Sequence, residues 1–552
     1  MRYLTNKFVK LVVLGIGMVT LYSWQAAFAE AKEKIVHFPK NRSMGMLYVL
    51  DSDKVDISSY DDWQVLCEAI GDVTVPAGKA LRLDLAKEAG NNLSPLSKLR
   101  PYDLVMLDLE GIDLLDDELQ HLSHLTSLRE LDLSETNILG TGLKYLTGLK
   151  SLKKLRLSGT HVGDNELALL MDFPSLKSLS LRKTPTSDAG MVHIGKINTL
   201  ETLSLSAGVG DEGLAHLINL RNLRWLSAGD PGVTDKGLAH LSGMTQMENL
   251  YLTGTQVSNA GLAYLKKMTK LKTLFLYGTR VTEKGFVHLE GLQNLENMQV
   301  LFGVTDTGLM HLSKLPSLKN ITIDGESVTS KGIATLSKMK SLEHLYVDDT
   351  DKMDVIVTEL INLSGLKELT LGTGLTDKGL VKLKDMRSLQ ALTIGPSRIT
   401  GKGIAALAEI PSLQILQLHQ AELASEDDWA ALGRLSVLKR LSLKHTRSRV
   451  TDAHLAHLSG LQSLRELSID AIVIKDGNAM YSMDITDKGL EHISKLKTLE
   501  RLTLHGAKIT DDGLKYLEKL NSLKWMDLQG CKVTEEGLQQ LKKKLPALRW
   551  HL

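Results

Sequence analysis

From about residue 79 onward the chain repeats one figure: two leucines or equivalents one residue apart, a polar turn, then a second apolar stripe at wider spacing. The first member of each pair falls at 83, 107, 131, 155, 179, 203, 226, 250, 274, 298, 321, 345, 369, 392, 416, 441, 467, 502 and 526, and nearly every step is 23 to 25 residues. A broken twentieth copy, residues 548–552, follows. A fixed period of this length marks stacked supersecondary units, each burying its apolar positions against its neighbours. In the unit from Leu271 to Leu289, Leu274 and Leu276 alternate with Phe275 and Tyr277. The alternation predicts a short strand with the leucines inward and the aromatic rings outward.

Thr282 and its equivalents Thr234, Thr305, Thr376, Thr486 and Thr510 stand where a hydroxyl caps a helix, and an acidic residue follows each of them in the first turn. Apolar residues three apart, as in Leu238, Leu241 and Met244, give that helix one buried stripe. Pro174, Pro316, Pro411 and Pro546 separate helix from next strand by denying the helix an N–H.

The pattern resembles the leucine-rich-repeat family, in the 24-residue helix-bearing form found in bacterial secreted proteins and akin to the ribonuclease-inhibitor type. The resemblance covers roughly residues 79–552. It implies an α/β solenoid, a horseshoe or superhelix of about 19–20 repeats, with a parallel sheet on the concave face and short helices on the convex face. It also implies a protein-interaction role. After the strand, where the family usually has asparagine, this chain has Thr136, Thr160, Thr184, Thr255, Thr279, Thr350 and Thr446, whose hydroxyls are expected to bond the turn of the adjacent coil. Cys531 stands at the same position and reads as structural.

The ends differ from the repeats. Arg2, Lys7 and Lys10 precede an apolar run from Leu11 to about Tyr22, and Ala27-Phe28-Ala29 supplies a small-x-small cleavage site. Residues 1–29 therefore read as a signal peptide cut after Ala29, with an uncleaved anchor as the alternative; the mature chain has no further apolar span and is expected in the periplasm, secreted or at the cell surface. Residues 30–78 lack the period and are expected to cap the open edge of the first repeat. The step from 467 to 502 is 35 residues, and the excess, about 471–484, is expected to leave the stack as a loop.

Composition narrows the function. Lys and Arg total 66 against 65 Asp and Glu, and removing the three leader cations takes the formal charge from +1 to −2, which excludes the dense basic face that nucleic acid requires. Cys67 and Cys531, the two cysteines, provide no disulfide framework. No nucleophile elbow, phosphate loop or paired-ligand zinc motif occurs, so no catalytic residue, metal or cofactor is assigned. His121, His193, His216, His240, His288, His311, His457 and His492 share one repeat position, but Tyr145, Tyr264 and Tyr516 fill it elsewhere, an exchange that a metal ligand does not tolerate. Asp348, Asp349, Asp351 and Asp354 crowd one turn, without the glycine and glutamate of a calcium loop.

The outward strand positions are the ones that the fold leaves free. Trp225, Tyr251, Phe275, Tyr277, Leu301, Phe302, His344 and Tyr346 are expected to form one apolar, aromatic patch. With neighbouring strands ~4.8 Å apart, it would run ~25 Å. Such rows are binding hot spots more often than ornaments. The protein is therefore read as a non-catalytic module binding a protein on its concave face. Glycan binding by stacked rings is the alternative, and an enzyme with an unrecognised site is the remote one.

Overall fold

The computed structural model describes residues 33–55, 60–89, 92–300, 305–446, 448–470, 472–475, 478–481 and 483–552. The leader segment 1–29 and its cleavage site lie outside the described residues. The chain forms two compact units, Met1–Val233 and Thr234–Leu552.

Five strands open the first unit: β1 (Lys34–His37), β2 (Gly45–Asp51), β3 (Gln64–Glu68), β4 (Asp72–Val75) and β5 (Lys79–Leu85). β1 pairs antiparallel with β4, and β2 pairs antiparallel with β3 on one side and with β5, along all seven residues, on the other. Trp63, Leu50 and Val55 from this opening segment pack on Ala80 and Met106 of the first coils. β5 also begins a parallel sheet in which Leu83, Leu107, Leu131, Leu155, Leu179, Leu203 and Leu226 stand opposite one another in turn.

The second unit repeats the arrangement. Leu250, Leu274 and Met298 are register partners, and so are Ile321, Leu345, Leu369, Leu392, Leu416, Leu441, Leu467, Leu502 and Met526. All of these are buried. At ~1.5–3 kcal/mol for each fully buried side chain, these ladders of leucine are the main source of stability. In the broken last copy it is Trp550 that stands opposite Met526, while Leu548 is buried four residues after the helix end. The extra residues after 470 are a β-hairpin and not an irregular loop: Ile472–Lys475 pairs antiparallel with Asn478–Tyr481, and Met483–Asp484 returns to pair with Val450–Thr451.

The other side of each coil is helical, but of two kinds. Where a threonine side chain accepts a backbone N–H at the N-cap, as at Thr234, Thr305, Thr329, Thr376, Thr400, Thr486 and Thr534, an α-helix follows. Where Leu115, Gly140, Asn165, Ala260 or Thr282 holds that place without such a bond, the turn tightens to a 3₁₀-helix. A cap satisfies one orphan N–H and lets the first turn open to its wider spacing. The helices Asp211–His216, Met353–Leu360 and Asp511–Leu517 form without one, and Ser187, which has one, opens on a 3₁₀ turn. At Thr282 the hydroxyl accepts from Asn259 Nδ2 at 2.8 Å and makes no cap bond.

Successive coils are joined on this helical side by a carboxylate ladder. Asp306 accepts the Thr329 N–H (2.9 Å) and hydroxyl (2.6 Å), Asp377 accepts those of Thr400, Asp487 those of Thr510, and Asp511 those of Thr534. Asp164 does the same for Ser187 in the first unit. The motif Thr-Asp-x-Gly carries its glycine for this reason. A Cβ on Gly513 would lie 2.3 Å from Asp487 Oδ1, and one on Gly190 would lie 2.5 Å from Asp164 Oδ1.

The threonines after the strands bond differently from the expectation. Thr136, Thr160, Thr184, Thr255 and Thr279 donate to the carbonyl three residues back in their own coil, at 2.7–2.8 Å. A short hydroxyl does not span to the next coil as an asparagine amide would. Thr446 reaches Asp470 O of the following coil at 3.5 Å, a marginal bond. Cys531 donates to Leu504 O at 3.2 Å, and burial pushes its thiol up to about 11, as befits an inert structural cysteine.

Candidate functional site

On the second unit's sheet face, a groove of about 590 Å³ crosses the strands from Tyr251 to Thr370. Its side chains are the outward residues of consecutive strands, placed there by the two-residue alternation that buries Leu250, Leu274, Met298, Ile321, Leu345 and Leu369.

One end is aromatic. Tyr251 and Phe275 are register partners, with ring centroids 4.9 Å apart and planes at 78°, so the edge of one ring meets the face of the other. The middle is amide: Asn297 and Gln299 flank Met298, Asn320 stands opposite Asn297, and the Asn320 amide donates to Asn297 Oδ1. At the far end His344 Nδ1 lies 2.8 Å from Glu368 Oε2, and its Nε2 lies 3.9 Å from a Glu343 carboxylate oxygen. Tyr346, 38% exposed, donates its hydroxyl to Asp348 Oδ1 at 3.3 Å. Burial first, then the negative charges of Asp348 and Asp349, push the Tyr346 phenol up, so it remains a neutral donor.

Of the residues singled out in the sequence, the structure brings Tyr251, Phe275, His344 and Tyr346 into one groove. Tyr277 is 42% exposed and lies outside the groove lining. Trp225 is half-buried in the first unit, and Leu301 and Phe302 lie outside the described residues. The groove residues are therefore not one aromatic row: two aromatic ends are separated by amides contributed by the strands at 297–299 and 320–323. Asn297, Gln299, Asn320 and Glu368 carry no aromatic signal and were missed. They sit in the same outward frame as Phe275, and reading that frame through every strand would have found them.

The first unit's sheet face is different. Arg82 Nε lies 2.5 Å from Asp84 Oδ1, and its Nη2 lies 3.7 Å from Asp108. Arg156 Nη1 contacts Glu130 at 2.6 Å and Asp132 at 3.2 Å. Asp108, Glu110 and Asp132 bring carboxylate oxygens within 4.8 Å of one another, the one such convergence of metal-ligating groups among the described residues. Burial, then Asp132 and Asp108, push the Glu110 carboxyl up. The arginines already supply positive charge to this cluster.

Several of the remaining candidates make scaffold contacts. His311 and His457 pair with Glu290 and Glu426, each at 2.6 Å, and His121 meets Ser97 at 2.9 Å. Asp349 accepts the Thr373 N–H, and Asp354 accepts the N–H and hydroxyl of Thr376, so two of the acids in the crowded turn serve the next coil.

Residues 124–146 match the family model described as Leucine Rich repeat. No curated protein sequence matches the chain. Among solved structures, the chain is similar to a Leptospira interrogans LRR protein at 16% identity, covering 77% of this chain and 96% of that one, with a TM-score of 0.42. It is similar to an internalin of Listeria monocytogenes at 18% identity, covering 64% and 87%, with a TM-score of 0.38. A plant peptide hormone receptor, RGFR1 in complex with RGF2, matches at 14% identity over 83% of each chain, with a TM-score of 0.35. The parallel ladders of leucine and the helical returns give each unit the fold of a leucine-rich-repeat solenoid, and the family match lies in one coil of the first unit.

Proposed function

We propose that this leucine-rich-repeat protein is a non-catalytic protein-binding module of the periplasm or cell exterior, and that its partner lies on the second unit's sheet face. The observation that carries this is the groove itself: Phe275 and Tyr346 are offered to solvent on a rigid sheet whose register does not require them. Exposed rings cost free energy unless a partner covers them, and repeat folds bind through extended strand faces. The location outside the cytoplasm rests on the sequence of residues 1–29 alone.

The test is affinity capture from cells of the source organism with the wild-type chain and with a Phe275→Ala/Tyr277→Ala/Tyr346→Ala chain, followed by mass spectrometry. A partner held by the first and lost by the second supports the site. Equal retention by a folded variant overturns it. Fractionation with N-terminal sequencing tests the location: a mature protein beginning at Glu30 outside the cytoplasm is expected, and an uncut cytoplasmic chain refutes it.

A further inference from the structure

We infer that the occupant of the groove is an extended polypeptide segment carrying an apolar side chain and, about six residues along, a lysine or arginine; this rests on the binding site proposed above and names its ligand. Three zones support it. At one end the notch between Tyr251 and Phe275 suits an apolar side chain, and it suits a flat sugar ring poorly because one ring face is already spent on the edge of the other. In the middle, Asn297, Gln299 and Asn320 each carry a donor and an acceptor, which matches the alternating N–H and C=O of an extended backbone. To either side the groove's backbone groups are engaged in the parallel sheet, and between the strands Asn297–Gln299 and Asn320–Ile323 the register pair is Asn297 with Asn320, so recognition passes chiefly through these side chains.

The third zone sets the charge. Along the rim before the strands every acid is answered by a lysine: Glu248 by Lys272 at 2.8 Å, Glu296 by Lys319 at 2.6 Å, Glu343 by Lys367 at 3.0 Å. Along the rim after them Asp324, Asp348 and Asp349 accept from backbone N–H groups and hydroxyls, and none is within ion-pair distance of a cation among the described residues. Glu368, with its side chain 55% exposed, gives one oxygen to His344 and keeps the other open. An acidic rim beside a neutral one calls for a cation, which a neutral glycan lacks and an acidic segment opposes. Four strand steps separate Phe275 from Glu368, or ~19 Å, and an extended chain covers that in about six residues.

The test is selection of a displayed library of random decapeptides on the full-length chain, run in parallel on Phe275→Ala and Glu368→Lys chains whose melting curves match the wild type. The expected result is enrichment of peptides with lysine or arginine five to seven positions from a leucine, phenylalanine or tryptophan. A labelled synthetic copy should bind the Phe275→Ala chain at least tenfold more weakly, and the Glu368→Lys chain should select an acidic residue where the wild type selects a basic one. Enriched sequences without that spacing or charge, indifference to both substitutions, no enrichment, or a glycan array showing neutral sugars bound in a Phe275-dependent way each overturn the inference. If the cellular partner is still lost with the triple alanine chain while the peptide selection fails, the ligand class falls and the binding site stands. Equal retention of that partner removes both.

Discussion

Each unit displays a parallel sheet, and the faces of the two sheets carry unlike side chains. On the first unit's face the outward side chains answer one another: Arg82 with Asp84, Arg156 with Glu130 and Asp132, and Ser158 with Ser180 at 2.7 Å. On the second, rings and amides face outward, and Asp324, Asp348 and Asp349 of one rim have no cation within ion-pair distance among the described residues. Strand geometry is common to both, so the difference lies wholly in residues that the core does not choose. A face whose charges are internally satisfied leaves little interaction energy for a partner, whereas one with unspent donors and rings retains it.

This contrast can be broken most directly by comparing partner affinity across the units. Phe275→Ala with Tyr346→Ala is expected to weaken binding by about 2–4 kcal/mol with an unchanged melt, while Arg156→Ala, measured by the same titration, is expected to leave affinity intact. A loss confined to Arg156→Ala would invert the assignment of the two faces. The helical side should show no contrast. Gly190→Ala in the first unit and Gly513→Ala in the second are each expected to cost about 1–3 kcal/mol in urea unfolding, because the new methyl meets a ladder aspartate. A gain of stability, as helix propensity alone would give, would show that the ladder yields. Smaller still, Thr160→Val and Thr255→Val remove matching buried hydroxyl bonds of 2.7 and 2.8 Å. Equal losses of about 1 kcal/mol are expected.

The smallest effect concerns pH. His454 in the second unit is buried, stacks on Trp429 with centroids 4.9 Å apart, and accepts the Thr451 N–H at Nδ1. Burial lowers its pKa most; Glu426 and Asp428 raise it and His457 lowers it further. The folded state therefore holds this ring neutral, and the unfolded chain binds a proton that the folded one refuses. Stability is full above the unfolded value of about 6.5 and falls as pH drops through it, until the folded-state value is passed. Melts at pH 7.5 and 5.5 should differ less for His454→Gln than for wild type, by on the order of 1 °C. An identical pH response would remove His454 from the account.

The strand core of the repeats was legible, because burying Leu274 and Leu276 while exposing Phe275 needs nothing beyond a period of two. The helix type at Thr282 was not, since it turns on whether Asn259 or an aspartate stands one coil earlier. Single-coil reading also misdirected the threonine hydroxyls, whose reach is a matter of ångströms and not of pattern. The groove was half legible. Rings announce themselves by rarity, whereas Asn297 and Asn320 matter only through being opposite each other, a relation that register supplies.

The carboxylate ladder has an evolutionary consequence. Each Thr-Asp-x-Gly coil offers one acceptor ahead and one pair of donors behind, so a coil copied or deleted whole leaves every such bond made. Copy number becomes nearly neutral for folding, and a freshly duplicated coil is free to mutate outward while its spine is held. Within one chain, sheet faces as unlike as these are compatible with such a mode of growth.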